Sequence, residues 1–256
     1  GDTYSAIATE KAGIIKPNTP VVIGEWDDRY ANVFIEKAKE CNSKIAFAEK
    51  NIHLKSYKYL DEGKLKLKFD NYNELIFGLG GIYQLKNAAT ILQSVEYIKE
   101  SGYSISDANI RNGFANVTTL TGLRGRWEIL RTAPKVICDT GHNVGGITYT
   151  AKQIAEQSSG TLHIVFGMVN DKDTEGVVSL LPKDAKYYFT QPSGQRAMCV
   201  EIFEAIASKY NLKGEIFKTV AEAYTKALNN ATPNDTIYVG GSTFIVADLL
   251  QFIEKQ

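Results

Sequence analysis

Hydrophobic and polar positions alternate in three textures along the chain. Over the first fifty residues the helical and strand periods take turns. Thr3 to Ala12 reads as a helix with Gly13 as its terminator, and Pro20–Gly24 as a short buried strand. Asp27 to Lys39 is amphipathic, with Ala31, Phe34, Ile35 and Ala38 on one face, and Ile45–Ala48 is a second strand. The middle of the chain changes character. Lys64 to Phe69 alternates strictly, and turn residues flank it on both sides (Asp61-Glu62-Gly63 and Asn71-Tyr72-Asn73), so antiparallel strands joined by tight turns are expected. Tyr83 to Glu100 follows as a strong helix, with Leu85, Ala88, Ala89, Leu92, Val95 and Ile98 at helical spacing. Ser106 then caps a helix through Ala108, Ile110 and Phe114.

Val117 to Gly125 carries threonine, glycine and arginine without apolar periodicity, which marks a domain boundary. Beyond it strands and helices alternate regularly. Strands are expected at 127–131, 135–139, 162–168, 186–191, 215–218 and 236–240. Helices are expected at 145–158, 174–181, 196–209, 220–230 and 243–254. That alternation defines an α/β fold with one doubly wound sheet.

Composition narrows the class. Lys plus Arg and Asp plus Glu both number 29, so overall charge gives no reason to expect nucleic-acid binding. Apolar runs are too short to span a membrane, and the opening Gly1-Asp2-Thr3-Tyr4 does not resemble a signal peptide. Without an initiator Met, the chain is read as a fragment. Cys41, Cys138 and Cys199 are few and far apart. They suggest neither a disulfide framework nor a zinc site, and a reducing cytoplasm fits.

One stretch concentrates candidate chemistry. Val136-Ile137-Cys138 runs into Asp139, then into a polar turn with His142, Asn143 and three glycines, then into a helix. Ligands of open α/β sheets bind outside the carboxyl ends of the strands, where such turns converge. Asn170–Asp173, Gln191–Arg196 and Gly240–Thr243 follow other strands of the same sheet and would share that edge. Each has a plain alternative, since Asp173 and Ser242 would also serve as helix N-caps and Arg196 as a surface cation. Neither GxxxxGK[ST] nor GxGxxG occurs anywhere.

Several segments together resemble the folylpolyglutamate synthase/dihydrofolate synthase family of the Mur-ligase superfamily. Ile7–Lys16 is similar to its IAxEKAGIIK segment. Gly81–Ala89 resembles GxHQxxNAA with Tyr83 in place of His, and Gly122–Glu128 resembles LPGRxE with Arg124 in place of Pro. Asp139–Asn143 resembles DxAHN with Gly141 in place of Ala, and Gly167–Asp173 resembles GxxxDKD. The motifs occur in family order along the whole chain.

The resemblance implies a remnant of a P-loop-type ATPase domain over residues 1–121, lacking its phosphate loop, and a complete Rossmann-like C-terminal domain over 122–256. It implies an ATP- and Mg²⁺-dependent ligase of folate biosynthesis and one-carbon metabolism. That enzyme joins L-glutamate to dihydropteroate or to folate polyglutamates through an acyl phosphate. Lys11 corresponds to an N-carboxylated lysine; Asn87, Arg126 and Asp139 correspond to ATP contacts; His142 and Ser242 correspond to residues orienting the incoming glutamate, with His142 also a catalytic candidate. No direct metal ligand is assigned, because the metal-binding residues of the family precede the first matching segment. The chain alone is therefore expected to be inactive, and a monomer is expected. A peptidoglycan-precursor ligase and a non-catalytic α/β binding module are the competing readings.

Overall fold

The structure is a computed structural model that describes residues 3–255. The chain divides into two compact units: one holds residues up to 59 with 65–77 and 84–116, the other 60–64, 78–83 and 117–256.

In the first unit, helix α1 (Tyr4–Ala12) starts at Thr3, whose hydroxyl accepts from the Ala6 N–H. It ends where expected. Gly13, however, stays right-handed (φ −58°), so the helix stops without using glycine's freedom. Strand β1 (Val21–Ile23), helix α2 (Ala31–Glu40) and strand β2 (Ile45–Phe47) form a parallel crossover, with Val22 paired to Ala46. Ala8, Ala12, Ile15 and Phe34 close a small core there. A single turn, α3 (Ala48–Asn51), leads to strands β3 (Leu54–Leu60), β4 (Lys64–Phe69) and β5 (Leu75–Phe77), arranged in that order with β4 and β5 antiparallel. The alternation of β4 buries Leu65, Leu67 and Phe69 and leaves its lysines outside the core.

Helix α4 (Gln84–Glu100) buries Ala88, Ala89 and Leu92 as expected, but its lower face is rotated. Gln84, Gln93 and Tyr97 are buried with them, and Ile98 is 43% exposed. Gln93 tolerates burial because its side-chain carbonyl accepts from Asn51. Tyr97 thereby takes the inward position, and Ile98 sits about 100° of helical turn away. Ser106 opens helix α5 (Asp107–Ala115) with a capping box closed by Asn109.

In the second unit, a helical turn α6 (Val117–Thr121) precedes a six-stranded sheet: β6 (Glu128–Thr132), β7 (Lys135–Cys138), β8 (Leu162–Phe166), β9 (Lys186–Phe189), β10 (Gly214–Ile216) and β11 (Thr236–Gly240). The order across the sheet is β10-β9-β8-β11-β7-β6. Five strands run parallel. β6 is antiparallel to β7, a departure from an all-parallel sheet that a connection of two residues (Ala133-Pro134) enforces. Helices α7 (Val144–Gln157), α8 (Thr174–Val178), α9 (Val200–Lys209), α10 (Val220–Asn230) and α11 (Thr243–Ile253) cover it. Helix α9 starts four residues later than expected, because 196–199 is a loop.

Strand alternation divides the helices between the two faces. Ile137, Ile164, Phe166 and Tyr238 pack with residues of α7, α8 and α9. Val136, Cys138, Val165, Ile237 and Val239 pack with residues of α10 and α11. Cys138 is a buried core residue, as its strand position suggests. No helix among the described residues is long and apolar enough to cross a membrane.

Candidate functional site

β7, β8, β9 and β11 are parallel, so the four polar turns read from the sequence lie at one edge of the sheet. β11 enters between β7 and β8, which makes this the place where the direction of winding reverses and an open sheet leaves a crevice.

The turn after β7 is built on Asp139. Its side chain is fully buried and faces inward. Oδ2 accepts from the Tyr83 hydroxyl at 2.7 Å and from the Trp127 N–H at 2.8 Å, and Oδ1 accepts from the Gly141 N–H at 2.8 Å. Burial pushes the carboxyl up from its ordinary range; these donors and the Arg126 charge pull in the other direction. The same burial, with the neighbouring Asp139, holds the Tyr83 phenol well above its ordinary value, so Tyr83 acts as a donor.

Thr140 joins the two groups best suited to a ligand. Its hydroxyl accepts a close hydrogen bond from the half-buried Arg126 guanidinium. Its carbonyl lies 3.0 Å from Nδ1 of His142. A carbonyl only accepts, so Nδ1 donates here, which turns Nε2 away from this bond. Asn143 then caps α7 through the Gly146 N–H at 2.8 Å.

The other edge turns are engaged locally. Ser242 is buried and caps α11 by accepting from the Ile245 N–H at 3.1 Å. Asp173 caps α8, and Arg196 pairs with Asp171. The plain readings of these three therefore hold. As an acceptor, Ser242 still has its hydroxyl hydrogen to donate.

Lys11 and Asn87 belong to the first unit. Lys11 is exposed in the last turn of α1, a favourable place for a cation. Asn87 is exposed on the first turns of α4, where its amide donates to Gln84. No group of three His, Cys, Asp or Glu side chains among the described residues could hold a metal ion.

Beside Arg126 lies a cavity of about 340 Å³ lined by Gly125, Arg124, Lys64, Thr118 and Thr119 among others. Glu62 and Glu128 line it too and pair with Lys64 and Arg124, which leaves Arg126 as the cation of this lining not matched by a carboxylate there. Gly125 is left-handed (φ 70°), and a Cβ there would stand 2.7 Å from Val246.

Two residues escaped the sequence. Gln153, fully buried on α7, accepts from the Ile82 N–H at 2.7 Å and donates to the Gly80 carbonyl at 2.8 Å. Trp127 is fully buried and left-handed, with φ 54°. The signal for Gln153 was available: it falls on the inward stripe Ile147-Thr150-Ile154, and a glutamine there needs partners. Nothing local marks Trp127 as left-handed.

Residues 125–243 match the family model described as Mur ligase, glutamate ligase domain. The chain is 28% identical over 260 residues to the dihydrofolate synthase/folylpolyglutamate synthase of Escherichia coli, an alignment covering 100% of this chain and 57% of that protein. Its structure is similar to that of E. coli FolC in complex with DHPP and ADP, with a TM-score of 0.81 and 26% identity over 100% of this chain and 58% of that one. It is similar also to Mycobacterium tuberculosis folylpolyglutamate synthase complexed with ADP, with a TM-score of 0.86 and 25% identity over 100% of this chain and 60% of that one. The chain spans 57–60% of the length of the curated relatives it matches first. The motifs, the family model and the structural likeness agree: residues 125–243 carry a Mur ligase, glutamate ligase domain, and the chain as a whole is similar to the folylpolyglutamate synthase/dihydrofolate synthase family.

Proposed function

We propose that the chain takes part in ATP-dependent ligation of L-glutamate to the carboxylate of dihydropteroate, of a folate, or of both. In that reaction the acceptor carboxylate takes the terminal phosphoryl group of ATP, releasing ADP. The glutamate amine then attacks the acyl phosphate, losing a proton, and inorganic phosphate leaves. Mg²⁺ supplies charge neutralisation at the phosphates when bound. The described residues offer no cluster to hold it.

The observation that carries this reading is the double use of Thr140, which fastens a cation and an imidazole to one turn. Arg126 suits the nucleotide phosphates as a planar, permanently charged donor. His142, whose Nδ1 is held by the Thr140 carbonyl, suits the incoming amine through Nε2. Ser242 suits a glutamate carboxylate through its remaining donor. Asn87 suits the edge of the base, and Lys11, if N-carboxylated, would turn from cation to anion.

Titration calorimetry of the 256-residue chain with MgADP tests the nucleotide reading. Arg126→Ala is expected to weaken binding by about tenfold or more, the worth of one charged hydrogen bond. Absence of binding by the unaltered chain, or affinity indifferent to Arg126→Ala, would refute it. Labelled glutamate and MgATP, offered with dihydropteroate and with tetrahydrofolate, identify the acceptor. Product from this chain alone would contradict the expectation that it does not turn over unaided.

A further inference from the structure

We infer that His163, Tyr188 and Asn230 form an acid-sensitive lock between the sheet and the carboxyl end of α10, closed while the imidazole is neutral and released when it is protonated.

The lock sits toward the amino ends of β8 and β11, away from the edge that carries His142 and Ser242. His163 lies in β8, Tyr188 lies in the neighbouring β9, and Asn230 is the last residue of α10. By strand alternation His163 shares the face of Val165, where Tyr188 also packs beneath α10. Both side chains are buried, and their rings stack at 5.8 Å between centroids with 21° between planes.

The hydrogens of this cluster have one consistent arrangement around a neutral ring. The Thr232 and Thr161 N–H groups hold the Asp235 carboxyl down at about 2, so it is ionised and only accepts. Its Oδ2 lies 3.5 Å from Nε2 of His163, which places the ring's hydrogen on Nε2. Nδ1 is then an acceptor, 2.9 Å from the Tyr188 oxygen, and takes the phenol's hydrogen. The same oxygen accepts from the Asn230 amide at 3.1 Å. Burial keeps the phenol above its ordinary pKa, so it retains that hydrogen.

A further proton on the ring must go to Nδ1. Two donors then meet across that contact, and the Tyr188 hydrogen loses its acceptor in a buried place. The phenol has to turn, and the hold on Asn230 goes with it. Asp235 keeps its grip on Thr232 and Thr161 in either state, so the release is confined to the last turn of α10. The other charges around the cluster do not reverse this. Lys186 of β9 acts with burial to keep the ring neutral against the pull of Asp235, and Glu215 of β10 is paired with Lys226 of α10. Because the folded ring titrates below its ordinary value, the lock is closed above pH 6.5 and opens as pH falls below it.

The test is an NMR titration of the full chain. Tyr188→Phe removes the donor to Nδ1 and is expected to raise the proton affinity of His163 about tenfold. Unchanged or lower affinity overturns the proposal, since the phenol would then be accepting from the ring. Protection factors of the last amides of α10, Ala227 to Asn230, supply the second readout. Between about pH 7.5 and about pH 5.5 they are expected to fall about tenfold in the unaltered chain and by less than about twofold in Tyr188→Phe. Constant protection in the unaltered chain, or an equal fall in the variant, overturns the lock. Asn230→Asp, at an exposed helix end, serves if Tyr188→Phe does not fold. Its carboxylate gives the phenol's hydrogen a second acceptor, so the acid-linked fall should vanish, and a persisting fall overturns the proposal.

Discussion

Replacing Gln153 by Met keeps the volume and flexibility of a fully buried side chain and deletes both of its hydrogen bonds. The Ile82 N–H and the Gly80 carbonyl are then stranded where water does not reach. Each unsatisfied buried group costs about 1–3 kcal/mol, and the gain in apolar contact from Met offsets part of it, so a net loss of about 2–5 kcal/mol is expected. Typical domains have only about 5–15 kcal/mol in total, and for a chain of this length the change lowers the melting midpoint by roughly 10 °C. Urea denaturation in a Trp26→Phe background measures it, because Trp127 then reports on the second unit alone. Ile82 amide exchange should rise in parallel. A loss below about 1 kcal/mol, or unchanged exchange at Ile82, would refute the bridging role.

Burial holds the His163 pKa below 6.5, although Asp235, 3.5 Å from Nε2, pulls it upward. The folded protein keeps the ring neutral while the unfolded chain takes up a proton, so stability falls as pH is lowered through 6.5. The pKa of Asp235 itself is lowered to about 2, which confines its own loss of stability to the range below 3.8. Unfolding free energies between pH 7.5 and 5.5 should therefore show a slope that His163→Gln flattens, and equal slopes would exclude His163 as its source. Gly167→Ala should abolish cooperative folding of the second unit, because its Cβ would stand 2.2 Å from the carbonyl oxygen of Thr190, just past the end of β9. Circular-dichroism melts check this, and a native-like transition would count against the close approach. Gly113→Ala, in a helix with open space around it, should instead stabilise by about 0.5–1 kcal/mol in the same assay.

The periodic parts of the chain were legible because burial is periodic. Most strands of the second unit read from apolar runs, and its helices from the regular alternation between them. The placement of Asp139, His142 and Ser242 at one sheet edge followed from strand ends alone. Strand order was not legible, since nothing local says that β11 enters between β7 and β8. Direction failed at β6, where two residues force an antiparallel return. Asp139 shows the limit most clearly. Its position at a strand end suggested a ligand contact, yet its partners are Tyr83, 56 residues before it, and Trp127, 12 residues before it. Long-range polar pairing of that kind leaves no periodic trace.

The late arrival of β11 has a consequence for the order of events during synthesis. β6 and β7 are translated early, then β8, β9 and β10, and neither group touches the other within the sheet until Thr236–Gly240 exist. Until then β7 and β8 each offer a bare parallel edge, the kind that pairs readily with a stranger. The closing contacts join residues about 75 to 100 positions apart, such as Tyr238 with Ile164 and with Ile137. Non-local pairing of this kind is slow to find. The nascent second unit thus keeps two unpaired strand edges until its residues 236–240 have been made.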